Sequence, residues 1–137
     1  MKSVVKKILL AIFIFLLNKN LQASSCIPFG TTVTLTRQSE VDSFPINYPG
    51  CDVVEGYLII SGNDIVNIDS LIHIKKVNYR LAIADNPILE NLYGLDSVLF
   101  VSEFEIYGNN SLLSLKGINN LTSTNELRIN NNDRLVN

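Results

Sequence analysis

The sequence predicts a β-rich solenoid, an array of stacked coils about 23 residues long. Three observations carry this reading. Asn63, Asn86, Asn109 and Asn132 stand 23 residues apart. Each lies five residues after the Leu or Phe that opens the same short phrase: Leu58-Ile59-Ile60-Ser61-Gly62-Asn63, Leu81-Ala82-Ile83-Ala84-Asp85-Asn86, Phe104-Glu105-Ile106-Tyr107-Gly108-Asn109 and Leu127-Arg128-Ile129-Asn130-Asn131-Asn132. Apolar residues also recur at matching places through the rest of each unit. A unit of this kind cannot bury its apolar side alone and must stack on its neighbour.

Residues 1–23 read as a secretion signal rather than as part of the fold. Met1 to Lys7 is basic, Ile8 to Leu17 is an unbroken apolar run, and Leu21-Gln22-Ala23 ends in a small residue suited to cleavage. That run is about half the roughly 20 residues a membrane helix needs. Its removal takes Lys2, Lys6, Lys7 and Lys19 and leaves seven bases (11 less four) against 13 acids. The remaining chain is acidic, which argues against nucleic acid and against adhesion to anionic lipid.

Residues 24–52 form a non-repeating leader. Cys26 and Cys51 are the only cysteines, and in an exported chain they read as a disulfide that closes a loop of about 25 residues and contributes roughly 3 kcal/mol. Lipidation of Cys26, close behind the signal, is the alternative and would leave Cys51 unpaired. Between them Thr31-Thr32-Val33-Thr34-Leu35-Thr36 alternates like a strand. Ser39 then offers an N-cap to a short helix in which Val41 and Phe44 share one face, and Pro45 disfavours helical geometry at Phe44. Tyr48-Pro49-Gly50 supplies a turn before Cys51. The leader is expected to cap the first coil.

Residues 53–137 carry the repeats. Beyond each Asn the apolar stripes run Ile65/Leu89/Leu112/Leu135, Ile68/Leu92/Leu115, Leu71/Leu95/Ile118, Ile74/Val98/Leu121 and Val77/Val101/Thr124, and these are the expected core. The first unit is one residue short after its Asn and one long before the next strand, so the period is kept while a corner shifts. The four Asn side chains are expected to form an inward ladder that satisfies backbone groups at the corner, because an amide offers both donors and an acceptor. Gly94 and Gly117 mark a tight corner.

The stretch Asn47-Tyr48-Pro49-Gly50-Cys51-Asp52-Val53-Val54-Glu55-Gly56-Tyr57-Leu58-Ile59-Ile60 and the later Leu113-Ser114-Leu115-Lys116-Gly117-Ile118-Asn119-Asn120-Leu121-Thr122-Ser123 resemble the receptor L domain family. That family includes the ligand-binding L domains of insulin and epidermal-growth-factor receptors, and its bacterial branch, common in secreted Bacteroidetes proteins, is the nearer match. The resemblance covers Cys26 to the C-terminus. It implies a right-handed β-helix with leucine-rich-repeat-like coils and short parallel sheets, and a Cys26–Cys51 disulfide. Two departures stand out. Pro45 falls where the family's leader helix continues, and the chain stops at Asn137, midway through a fourth coil without a capping segment. An end of that kind is expected to expose apolar cross-section and strand edges, a route to self-association.

The inventory of reactive groups points away from catalysis and from any cofactor. His73 is the only histidine and takes a solvent-facing coil position, no Cys/His metal set is present, and both cysteines are spoken for. Glu103 and Glu105 flank Phe104 on one strand, roughly 7 Å apart; such a pair can serve glycoside chemistry but reads better as a solvated face. The outward strand face is the candidate for function: Tyr57, Ile59, Arg80, Ala82, Glu103, Glu105, Tyr107 and Arg128, a mixed apolar and charged surface suited to an extracellular protein or glycan. The sequence thus predicts an exported, non-catalytic binding or adhesion module at or beyond the cell surface, with a structural spacer as the alternative and a glycan-processing enzyme as a minor one.

Overall fold

The computed structural model describes residues 5, 6 and 24–136. The secretion signal read over residues 1–23 lies almost wholly outside them, and among the described residues no helix is long and apolar enough to cross a membrane.

Seven strands make one open, parallel sheet: β1 (Ser24–Cys26), β2 (Thr32–Leu35), β3 (Cys51–Val54), β4 (Tyr57–Ile60), β5 (Lys76–Ala84), β6 (Phe100–Tyr107) and β7 (Ser123–Asn130). β5 is long enough to pair along one edge with two shorter strands, meeting β3 at Val54↔Val77 and β4 at Tyr57↔Arg80 through Ile60↔Ile83. Its other edge pairs with β6, and β6 with β7. β1 lies outside β3 and β2 outside β4. The sheet therefore has five rows. The sequence period sets their register: Leu58, Leu81, Phe104 and Leu127 are successive Cα partners, 23 residues apart.

The expected solenoid, a right-handed β-helix of leucine-rich-repeat-like coils, is overturned by this architecture. The sheet is not closed, and the segments returning from one row to the next are turns and two one-turn 3-10 helices at Asp69–Leu71 and Tyr93–Leu95. The reason lies in the spacing of the apolar stripes. Ile65, Ile68, Leu71, Ile74 and Val77 recur every three residues, whereas a second sheet needs alternation. Three-residue turns bury such a pattern directly: Leu71 N–H donates to Ile68 O (3.0 Å) and Ile74 N–H to Leu71 O (2.9 Å), with Leu95 to Leu92 and Val98 to Leu95 repeating the arrangement at 2.9 Å.

The core lies between the sheet and these turns. Leu58, Ile60, Leu81, Ile83, Phe104 and Ile106 enter it from the strands, and Ile65, Ile68, Leu71, Ile74, Leu89, Leu92, Leu95, Val98 and Leu112 from the turns. Leu115, Ile118, Leu121 and Leu135 are only partly buried, and on β7 Leu127 and Ile129 are exposed although they continue the inward stripe. Gly94 and Gly117 stand where rows touch: a Cβ on Gly94 would sit 1.7 Å from Ile68 O, and one on Gly117, whose φ is +110°, would sit 1.9 Å from Leu92 O. Side chains are excluded there on contact alone.

The leader contributes its strand to the sheet: β2 pairs with β4 over Thr32↔Tyr57 to Leu35↔Ile60. Two short helices follow, α1 (Gln38–Asp42) and α2 (Phe44–Asn47), and they bury Val41 and Phe44 as expected. The cap differs from the expectation. The N-cap is Arg37, with no side-chain cap hydrogen bond, so Ser39 lies within the helix. Glu40 instead reaches back to accept from Thr36 N (2.6 Å), one residue before the N-cap. Its carboxyl is held below the ordinary value chiefly by that backbone hydrogen bond. Pro45 opens α2 rather than keeping Phe44 out of a helix. Cys26 and Cys51 are joined, with Cα atoms 5.4 Å apart, and tie β1 to its neighbour β3. The bond leaves no free cysteine among the described residues and is compatible with an extracellular location.

Candidate functional site: the outer face of the sheet

Strand alternation sends Leu58, Ile60, Leu81, Ile83, Phe104 and Ile106 into the core, and so turns Tyr57, Ile59, Arg80, Ala82, Ala84, Glu103, Glu105 and Tyr107 to the opposite face. Register then sets them side by side: Tyr57–Arg80–Glu103–Glu126 form one line across the rows, Ile59–Ala82–Glu105–Arg128 the next, and Ala84–Tyr107–Asn130 a third. The sequence-predicted residues are brought together on one surface.

That surface is more organised than a row of solvated side chains. Glu105 is only 7% exposed. One of its carboxylate oxygens accepts from Arg80 Nη2, and the other from Arg128 Nη1 at 2.7 Å. Arg128 also pairs with Glu126 at 2.5 Å. Burial pushes the Glu105 carboxyl up, but the hydrogen bonds from Arg80 and Arg128 outweigh it and hold the group below the ordinary value of 4.5. The Arg128 guanidinium is raised in turn, first by Glu105 and then by Glu126. Arg80 Nε is a buried donor without a protein partner. Ala82, read from the sequence as a contact residue, is 2% exposed, so it underlies this network instead of touching a partner. Glu103 is exposed, while Tyr57, Ile59 and Tyr107 are half-buried.

A second part of the face lies at the corner where each row bends. Between the aligned pairs Val54↔Val77 and Tyr57↔Arg80, β3–β4 and β5 each use two residues, Glu55-Gly56 and Asn78-Tyr79; β6 and β7 use one, Ser102 and Asn125. The first row, between Cys26 and Thr32, uses five. The extra residue in β5 is the one foreshadowed by the long first unit. As bulges do, the irregularity re-aims a side chain: the Tyr79 ring lies 5.0 Å from those of both Phe29 and Tyr57, at interplanar angles of 71° and 56°. Asn78 Nδ2 donates to Glu55 Oε2 at 2.6 Å. Phe29, 71% exposed, stands in the five-residue corner, where Ile27 (φ 51°) and Gly30 (φ 76°) both take left-handed backbone. Phe29 and Tyr79 were not among the candidates read from the sequence. The corner's changing length was the signal for Tyr79, and nothing local marked Phe29.

The asparagine ladder is structural and has three members, not four. Asn86 accepts from Gly62 N at 2.9 Å, Asn109 from Asn86 N at 3.1 Å, and Asn132 from Asn109 N at 3.0 Å. Their amide groups donate to Ile60 O, Ile83 O and Ile106 O, one row back, at 2.9–3.0 Å. Asn63 is exposed. In its row Gly62, not Asn63, supplies the N–H that Asn86 receives, because this unit is one residue short beyond its Asn.

Among the described residues no group of three or more His, Cys, Asp and Glu is placed to hold a metal ion. Comparison with family models, with curated proteins and with solved structures finds no match for the chain.

Proposed function

We propose that this chain is an exported, non-catalytic binding module that holds an extracellular protein or glycan against the outer face of its sheet. The observation that carries the reading is the preformed Arg80–Glu105–Arg128–Glu126 network beside an exposed aromatic corner. Side chains already fixed before a partner arrives lose little freedom on binding, which favours affinity. The same geometry speaks against Glu105 as the general acid of a glycan-processing pair. Glu105 has both oxygens engaged and a depressed pKa, whereas a glycosidase pair needs one carboxyl kept protonated near neutral pH.

The test is capture of printed extracellular proteins and glycans by the labelled chain, compared with the Arg80→Ala/Tyr107→Ala double variant. Loss of capture by the variant, with unchanged circular dichroism, supports the sheet face as the contact surface. Capture that is indifferent to both changes favours a structural spacer and rejects it.

A further inference from the structure

We propose that the corner built from Phe29, Tyr57 and Tyr79, with Glu55 and Asn78 at its rim, binds a neutral saccharide ring; this rests on the sheet-face reading and names its ligand class. Three observations lead there. First, the rings pack on one another at 5.0 Å, yet Phe29 keeps 71% of its surface in water and the tyrosines are only half-buried. Large rings left exposed in a cluster mark a contact site rather than a core. Second, polar groups are placed beside them. The Asn78 amide and the Glu55 carboxylate share one hydrogen bond, which leaves the Asn78 carbonyl and the second Glu55 oxygen as acceptors for hydroxyl groups. Third, Phe29 and Glu55 also border an open surface depression with Ser25, Cys26 and Pro28, so the approach to the corner is not blocked by these residues.

The chemistry of the corner selects among ligands. A pyranose ring presents an apolar C–H face to an aromatic ring and hydroxyls at its edge, and the corner offers aromatic faces with acceptors at their margin. An anionic ligand would meet the Glu55 carboxylate. A quaternary cation is caged by rings that stand around it, whereas these touch each other at 5.0 Å. A base-stacking role would need a basic groove for the phosphates, and the chain without its first 23 residues carries 13 acids against seven bases (11 less four).

The experiment is calorimetric titration of the full-length, disulfide-bonded chain with chitotetraose, cellotetraose, xylotetraose and mannotetraose, each up to about 10 mM. Tyrosine fluorescence gives a second readout: the sequence has no Trp and five Tyr, so two of its five emitters are in the site. At least one oligosaccharide is expected to bind and to quench that emission. Phe29→Ala and Tyr79→Ala are expected to weaken it about tenfold or more, while Phe29→Tyr retains binding and shows that the corner still folds. Lys116→Ala, an exposed change in a turn outside the sheet, is expected to leave saccharide affinity unchanged. Binding by none of the four, or binding that survives both aromatic truncations, overturns the proposal. If the saccharides fail while capture of a protein still depends on Arg80 and Tyr107, the corner assignment falls and the sheet-face reading stands; if both fail, both fall.

Discussion

Replacing Asn109 by Ala should cost far more stability than the same change at Asn63, although the two residues hold equivalent places in the sequence repeat. The Asn109 side chain accepts from Asn86 N (3.1 Å) and Asn86 Nδ2 (3.0 Å) and donates to Ile83 O (2.9 Å), Tyr107 O (3.0 Å) and Asn132 Oδ1 (3.1 Å). It is fully buried, as is Asn86. Truncation leaves the two Asn86 donors short of their acceptor and the Ile83 carbonyl without this donor, in a place where water does not reach. Each stranded group costs about 1–3 kcal/mol, so a loss of roughly 3–5 kcal/mol is expected, with some relief if a water fills the gap. Against a total stability of about 5–15 kcal/mol this is large. With a urea slope of about 2 kcal/mol/M the midpoint should fall by roughly 1.5–2.5 M. Asn63→Ala should stay within about 0.5 kcal/mol, as a surface change does. The assay is equilibrium urea unfolding of the oxidised chain followed by far-ultraviolet circular dichroism. A loss below about 1 kcal/mol for Asn109→Ala, or equal losses at the two sites, would refute the claim that the ladder is a chain of obligatory buried hydrogen bonds.

Three further outcomes follow from the same structure. The folded pKa of Glu105 lies below its ordinary value, so its contribution is present above the unfolded value and is lost as pH falls through the folded one; the urea midpoint of the native chain should therefore drop more steeply than that of Glu105→Gln as pH is lowered below 4.5. Cys26→Ser/Cys51→Ser removes a crosslink spanning 25 residues, and thermal unfolding with and without reductant should show a loss of about 3 kcal/mol in the native chain and none in the variant. Gly94→Ala, whose new Cβ meets a backbone carbonyl at 1.7 Å, should destabilise by about 2–3 kcal/mol or more. Gly30→Ala, at φ +76° with open space around it, should cost only about 1 kcal/mol; equal urea midpoints for the two would show that the row contact at Gly94 yields.

What the sequence made legible was register. The 23-residue spacing of Leu58, Leu81, Phe104 and Leu127 is the pairing of β4 to β7 residue for residue, because identical phrases with period-two alternation can face the same way only when stacked in step. The same spacing aligns Arg80, Glu103 and Glu126 across three rows. The return segments were misread because a regular apolar stripe was taken to imply a closed coil; a spacing of three is satisfied by hydrogen-bonded turns. Asn63 was misread because position in the repeat stood in for geometry, although the missing residue after it was visible. Ala82 looked like contact surface since its neighbours' reach was not: Arg80, Glu105 and Arg128 meet across its line by a choice of rotamer that composition does not encode. Phe29 lies outside the repeat, so no periodicity could bring it to Tyr79.

The parallel rows also bear on how the chain finds its fold. Parallel strands usually lie far apart in sequence, and closing the loops between them is slow. Here the pairings of β4 with β5, β5 with β6 and β6 with β7 all join residues 23 apart. Closure entropy depends on loop length, so it favours none of these three rows over another. The order of assembly must then be set by side chains: the Phe104 and Ile106 row is fully buried, while the Leu127 and Ile129 row is half open to water. The disulfide breaks this evenness at one end only, since in the oxidised chain the first row and the second are already looped together before any strand has formed.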